Sequence, residues 1–268
     1  MVRELIHYNY GVKMKICNLA SGSEGNVTYV ETDHHKILLD LGMTVKYIKE
    51  KLSELSVAIE DIDYIFITHV HDDHIKALKG FIKKYNPTIC VSPKMFSELE
   101  VLRDYENIIL YDDAVYLDDT TIEIIKTSHD TSDSRSFILR NNGKSMVYMT
   151  DTGFINTKYF KKIENINVYL FESNHDIEML LHGPYPKWLK DRVMGPYGHL
   201  SNKDSSIYLA KIIGPDTKKI LLTHLSHKNN TEEKALQTIK EIFDEYEVKF
   251  TDIQCAKQRE KSELIEIW

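Results

Sequence analysis

Thr68-His69-Val70-His71-Asp72-Asp73-His74 gathers three imidazoles and two carboxylates in seven positions, directly after the apolar run Tyr64-Ile65-Phe66-Ile67. Neutral imidazole nitrogens and carboxylate oxygens are ligands for divalent cations such as zinc. Where a strand breaks into a loop, His69 and His71 can turn toward one point while Asp73 and His74 reach a second, a few ångströms away. The run therefore supplies half of two metal sites. A solvated polar turn would gain nothing from holding three neutral bases around a carboxylate.

Two such sites need further ligands from the ends of other strands, and the chain offers them. His129 follows an expected strand at 121–125, Asp151 one at 145–149, and His224 one at 219–222. Ile67-Thr68-His69 and Leu222-Thr223-His224 share one pattern, as expected if both strands end at the same edge. His227 competes for the last position, and this pattern favours His224. Ser128-His129-Asp130 is not a catalytic triad, because consecutive residues cannot place nucleophile, base and orienter in line.

The elements that must carry these residues alternate from end to end. Strands are expected at 14–19, 27–31 and 36–40, with a Ser-Gly-Ser-Glu-Gly-Asn turn at 21–26, then a helix at 45–55 and a buried strand at 64–67. Further strands follow at 88–91, 121–125, 136–140, 145–149 and 168–171; with few helices between the later ones, antiparallel pairing is expected. The last third reads as a helix at 202–213, a strand at 219–222, a helix at 231–246 and a closing strand at 249–253. A strand meander followed by helix–strand units, twice over, predicts an α+β chain with two sheets face to face and helices outside. The boundaries that follow are an N-terminal extension at 1–13 and a single domain at 14–268.

Composition narrows the class. With 268 residues, 42% of them hydrophobic, and only 11 Gly and 6 Pro, the chain is neither disordered nor fibrous. No stretch approaches the roughly 20 apolar residues of a membrane span, and the N-terminus lacks the apolar core of an export signal. Cys17, Cys90 and Cys255 form no C-x-x-C pair, so a reducing cytoplasm is expected. The net charge of −7 argues against a whole-surface nucleic-acid binder, yet residues 183–228 hold eight bases against three acids. That segment either marks where a polyanion lies or is a solvated helix face.

These motifs, in this order from Asp40 to His224, resemble the metallo-β-lactamase-fold hydrolases. The resemblance implies a four-layer αββα sandwich with two metal ions, zinc as a rule and manganese in some nucleases. By the same resemblance His69, His71 and His129 hold one ion, Asp73, His74 and His224 hold the other, and Asp151 bridges both. Asp40 corresponds to the early aspartate that orients the His69 loop from behind the ligands, although turn formation also explains it. Lactamases and glyoxalase-like thioesterases carry the third-motif histidine in Pro-Gly-His-Thr, whereas this chain has Thr-Ser-His-Asp-Thr. Ribonuclease J-type architecture needs a large insertion that the 73 positions from Asp151 to His224 cannot hold.

Ala20-Ser21-Gly22-Ser23-Glu24-Gly25-Asn26, Phe171-Glu172-Ser173-Asn174-His175-Asp176, Gly198-His199-Leu200-Ser201-Asn202 and His224-Leu225-Ser226-His227 resemble the YycJ (WalJ) group. That group is associated with 5′ exonuclease action on DNA and is related to ribonuclease Z, whose Glu–His relay corresponds here to Glu172 and His199. The expected reaction is phosphodiester hydrolysis: the cations acidify water for in-line attack, with Asp73 and the other ligands holding them. His199 protonates the leaving oxygen, oriented by Glu172.

Substrate contacts are expected from Lys187 and Arg192, which interleave with Tyr185 and Trp188, and from Ser201 and Asn202 where a helix begins. Each has a structural alternative: Trp188 as packing, Ser201 or Asn202 as an N-cap. DNA is the expected substrate, ahead of RNA. A small phosphodiester such as a cyclic nucleotide, or ribonuclease Z-like RNA processing, is the alternative, and a catalytically idle metal-binding partner is a third reading. A closed pocket over the metals would favour the small substrate, and an open basic groove through Lys187 and Arg192 the polymer.

Overall fold

The computed structural model describes residues 14–268, so the extension expected at 1–13 lies outside the described residues. Fourteen strands are arranged in two sheets. The first is built from β1 (Met14–Ala20), β2 (Val27–Glu31), β3 (Lys36–Leu39), β4 (Tyr64–Phe66), β5 (Thr88–Val91) and β6 (Ile108–Leu110). The second holds β7 (Ala114–Leu117), β8 (Thr120–Lys126), β9 (Arg135–Asn141), β10 (Lys144–Met149), β11 (Val168–Glu172), β12 (Lys219–Thr223) and β13 (Ile253–Cys255). β14 (Ile265–Ile267) returns to the outer side of β1 and completes the first sheet.

Both sheets are mixed. β1, β2 and β3 pair antiparallel, whereas β3 through β6 run parallel. In the second sheet β7 through β10 are antiparallel and β10 through β13 parallel. The antiparallel pairing expected for the strand at 168–171 is therefore corrected. Between β10 and β11 the chain runs back past the helix Phe160–Ile163, and a return of that length is what parallel pairing requires.

Alternation along each strand divides the interior into layers. On β11, Val168 and Leu170 join the apolar cluster between the sheets, while Tyr169 and Phe171 face the helices Asn202–Ile212 and Glu232–Glu245 on the outside. Successive side chains of a strand point to opposite faces, so a strand covered on both sides must be apolar at every position. Phe66 and Phe137 meet across the sandwich with ring centroids 5.6 Å apart. Each such fully buried side chain contributes roughly 1.5–3 kcal/mol relative to exposure. The expected αββα layering is observed.

Helix ends follow the sequence closely. Thr44, Ser92, Asp176, Ser201 and Thr231 each accept a backbone N–H at a helix start. No helix among the described residues is long and apolar enough to cross a membrane. The closing strand expected at 249–253 lies instead at Ile253–Cys255. Val248 and Phe250 are apolar because they pack against the outer cluster from a loop, and a period of two does not distinguish that from a strand.

Candidate metal centre

β4, β8, β10, β11 and β12 all end at one edge of the sandwich, and the chemistry-bearing side chains stand on the segments just beyond them. Three of the residues there, Asp40 (φ 62°), Asp151 (φ 50°) and His224 (φ 56°), have left-handed backbones. For a residue with a Cβ this costs about 1–3 kcal/mol and persists only where the surroundings impose it. The chain bends sharply at each of these points; Asp151 and His224 line the cleft, and Asp40 is buried behind it.

Asp40 is fully buried between the sheets. Its Oδ1 accepts the Thr68 N–H at 2.8 Å, and its Oδ2 accepts from His74 Nδ1 at 2.7 Å and from the Tyr148 hydroxyl at 3.1 Å. It thus fixes the residue before His69 and also the ring of His74, whose Nε2 is left facing Asp151 Oδ2 at 3.1 Å. The four residues Asp72–Ile75, expected in a loop, form one helical turn with Asp72 and Asp73 at its N-terminal end, where carboxylates are favoured. Gly42 makes room for this turn: a Cβ there would stand 1.7 Å from the Asp73 carbonyl oxygen.

The ring nitrogens of His69, His71 and His129 converge. His69 Nδ1 is 3.0 Å from Thr68 Oγ1, and His129 Nδ1 donates to the Gly198 carbonyl at 3.1 Å, so both rings turn Nε2 inward. His69 Nε2 lies 3.2 Å from His71 Nδ1, close to the roughly 3.4 Å separating two nitrogens on one tetrahedral zinc. A second group is formed by Asp73, His74 and His224, with Asp73 Oδ2 at 3.7 Å from both His74 Nε2 and His224 Nε2. Asp151 faces both groups: its Oδ1 is 3.8 Å from His129 Nε2 and 3.5 Å from His224 Nε2.

This donor set fits two divalent cations. His224 Nε2 is buried with no hydrogen-bond partner among the described residues, an expensive state for a polar atom unless something else satisfies it. Burial holds His69 and His129 below their ordinary range, so their lone pairs are free. Burial would do the same to His74 and His224, yet surrounding carboxylates, Asp40 and Asp151 foremost, raise His74 well above its usual value and bring His224 to about 10. Protons there compensate the carboxylates as cations would.

Glu172, at the end of β11, is completely buried. Burial pushes its carboxyl upward, but His199 and His224 outweigh that and hold it at about 2. Oε1 accepts from His199 Nδ1 at 2.7 Å, and Oε2 accepts the Thr152 N–H at 2.9 Å. His199 lies at the rim of the cleft with its ring centroid 5.0 Å from that of His129 and 5.2 Å from that of His224. His175, with a buried ring, and the exposed His182 take no part in the cluster.

The expected substrate contacts fare differently. Ser201 and Asn202 are buried: Ser201 Oγ accepts the Asp204 N–H, and the Asn202 amide bonds Ser173 and Asn230. The amides of Leu200 and Asn202 are likewise spent, on Glu172 and on the His175 carbonyl. Both side chains are therefore engaged inside the protein, in bonds that hold the start of the helix. Arg192 does line the cleft, but its guanidinium binds Asp130. Lys187 lies outside it, on a helix, Lys187–Val193, with no buried residue; its neighbour Trp188 is exposed and does not pack. Two supporting contacts were not expected from the residue pattern: the Asn26 N–H donates to the Asp73 carbonyl at 2.8 Å, and Asn174 Nδ2 donates to the His224 carbonyl at 2.9 Å.

The family profile of the metallo-beta-lactamase superfamily matches residues 21–224. The chain belongs to that superfamily. It is 34% identical to the exodeoxyribonuclease YycJ of Bacillus anthracis over 232 residues, 85% of this chain and 88% of that protein. To the exodeoxyribonuclease WalJ of Streptococcus pneumoniae it is 36% identical over 235 residues, 85% of this chain and 87% of that one. Among solved structures, the metallo-beta-lactamase fold protein YhfI of Bacillus subtilis superposes with a TM-score of 0.71 at 16% identity, covering 94% of this chain and 99% of YhfI. At that identity the superposition speaks to fold alone. Superfamily membership accounts for the two mixed sheets and for the order of the histidine and aspartate motifs along the chain.

Proposed function

We propose that this chain is a two-metal phosphodiesterase that cuts nucleic acid, with DNA preferred to RNA. The observation that carries the reading is the convergence of seven donor side chains beside a Glu172–His199 pair at a solvent-facing cleft. The names of the relatives YycJ and WalJ supply the choice of DNA. His69, His71 and His129 would hold one cation, Asp73, His74 and His224 the other, and Asp151 both. An imidazole-rich set favours zinc, while the carboxylates also suit manganese. When bound, the cations polarise the phosphodiester and acidify water.

The chain's own groups do the rest. Glu172 accepts from His199 Nδ1 and stabilises the ring as an imidazolium, whose Nε2–H then protonates the departing oxygen and leaves the neutral Nδ1–H tautomer behind. Asp40 on His74 Nδ1 and Glu172 on His224 Nδ1 keep those ligand rings from swinging out of position, and such supporting contacts tune metal affinity. The three cysteines are free, in keeping with a reducing cytoplasm.

Cleft shape favours a polymer over a small ester. The space above the donors is about 220 Å³, smaller than the roughly 300–1,000 Å³ of sites that enclose small ligands. It shares His129 with one neighbouring depression and Ser226 with another. The test is direct: zinc- or manganese-reconstituted protein is incubated with end-labelled duplex and single-stranded DNA, structured RNA and cyclic nucleotides. Faster cleavage of DNA is expected; hydrolysis of cyclic nucleotides with no cleavage of any polymer would overturn the proposal.

A further inference from the structure

Beyond His129 a depression of about 380 Å³ opens between the segment after β8, the segment after β10 and the turn that precedes His199. Two rings on its wall are turned to solvent, Phe154 at 41% exposure and Tyr197 at 63%. Lys126 and Lys158 share the wall and form no ion pair among the described residues, and the Lys158 ammonium lies 4.8 Å above the Tyr159 ring. The one lining acid, Asp133, is held by the Arg135 guanidinium through Nε at 3.1 Å and Nη2 at 3.0 Å. Its charge is neutralised, and the depression is electropositive.

The opposite depression, past Ser226, has the reverse balance. Lys257 and Arg259 there face Glu24, Glu232 and Glu260, with Arg259 on Glu24 and Lys257 on Glu260 at 3.0 Å. Two bases against three acids leave that side negative. A polyanion crossing the cleft is drawn to the His129 side and repelled from the other. Exposed rings interleaved with unpaired ammonium groups are the means by which proteins hold unpaired nucleotides without reading sequence.

We propose that Phe154, Tyr197, Lys126 and Lys158 form a nucleotide subsite for single-stranded DNA, stacking a base and holding its phosphates next to the bond that is cut. The proposal rests on the nuclease reading and deepens it. It also moves the polymer contact from the expected Lys187 and Arg192 to the wall formed by the segments after β8 and β10.

Binding tests it separately from cleavage. Zinc-loaded protein is titrated into a fluorescent single-stranded oligodeoxynucleotide with a cleavage-resistant phosphorothioate backbone. Phe154→Ala with Tyr197→Ala is expected to raise Kd by about tenfold or more, and Phe154→Leu with Tyr197→Phe to recover much of it. Lys126→Glu with Lys158→Glu is expected to flatten the dependence of log K on log salt by about 1.4. Hydrolysis of bis(p-nitrophenyl) phosphate, too small to span the subsite, stays within about twofold in all variants. Unchanged Kd in the double alanine variant together with an unchanged salt slope in the double glutamate variant would overturn the subsite even if the enzyme cuts DNA. Weakened binding in the variants of a protein that cuts no DNA would overturn the nuclease reading and leave the subsite standing.

Discussion

Glu172 Oε1 lies 2.7 Å from His199 Nδ1 and 3.3 Å from His224 Nδ1. One buried carboxylate therefore orients both the proposed acid and a proposed ligand of the second cation. Removing its charge disturbs two functions at once. Glu172→Gln keeps the volume and one acceptor, and kcat on an oligodeoxynucleotide is expected to fall by about 10²-fold or more. Metal content measured by mass spectrometry should fall less than in His224→Ala. A variant with full kcat would remove Glu172 from the mechanism.

Asp73 and Asp151 separate the two cation sites. Asp73 touches only the second donor group, whereas Asp151 faces both. Asp73→Asn is expected to retain about one ion per chain and Asp151→Asn fewer, each with at least 10²-fold slower phosphodiester hydrolysis. Equal stoichiometry in wild type and both variants would contradict the assignment.

Metal uptake should release protons. His74 and His224 are raised by the surrounding carboxylates, His224 to about 10, so at neutral pH the metal-free protein carries a proton on each. Cations must displace them, and apparent affinity therefore rises with pH until the folded-state values are passed. Calorimetric titration in buffers of different ionisation enthalpy should give about two protons per pair of ions. Heats independent of buffer would contradict this.

Ser201 and Asn202 are buried and hydrogen-bonded within the protein, so a structural role is expected of both. Ser201→Ala removes an N-cap and should cost about 1 kcal/mol. Asn202→Ala strands Ser173 and Asn230 in the interior and should cost about 1–3 kcal/mol. Thermal unfolding measures both losses, and KM for DNA should not change. A raised KM at unchanged stability would return them to the substrate surface.

The centre was largely legible because its residue types are rare and sit at strand ends, and because one seven-residue run supplies four of the proposed donors. Asp40 was legible only through resemblance; sequence does not show that it reaches across to His74. The pairing of Arg192 with Asp130 was not legible, because 62 positions separate them and pairing over such a span leaves no local pattern. β14 escaped for a similar reason. Ile265-Glu266-Ile267 alternates, but three residues are too few to establish a period, and only their register against β1 makes them a strand. Lys126, Phe154 and Tyr197 are each unremarkable where they stand, and become a group only when three segments meet.

The proposed donors come from both sheets: His69 to His74 follow β4, while His129, Asp151 and His224 follow β8, β10 and β12. A polypeptide still emerging from the ribosome has exposed its first histidines long before β12 exists to dock beside β11. Cutting power thus arrives late in synthesis, with almost the whole body already assembled. By the proposed assignment, a product ending before residue 219 lacks His224 and is expected not to cut nucleic acid.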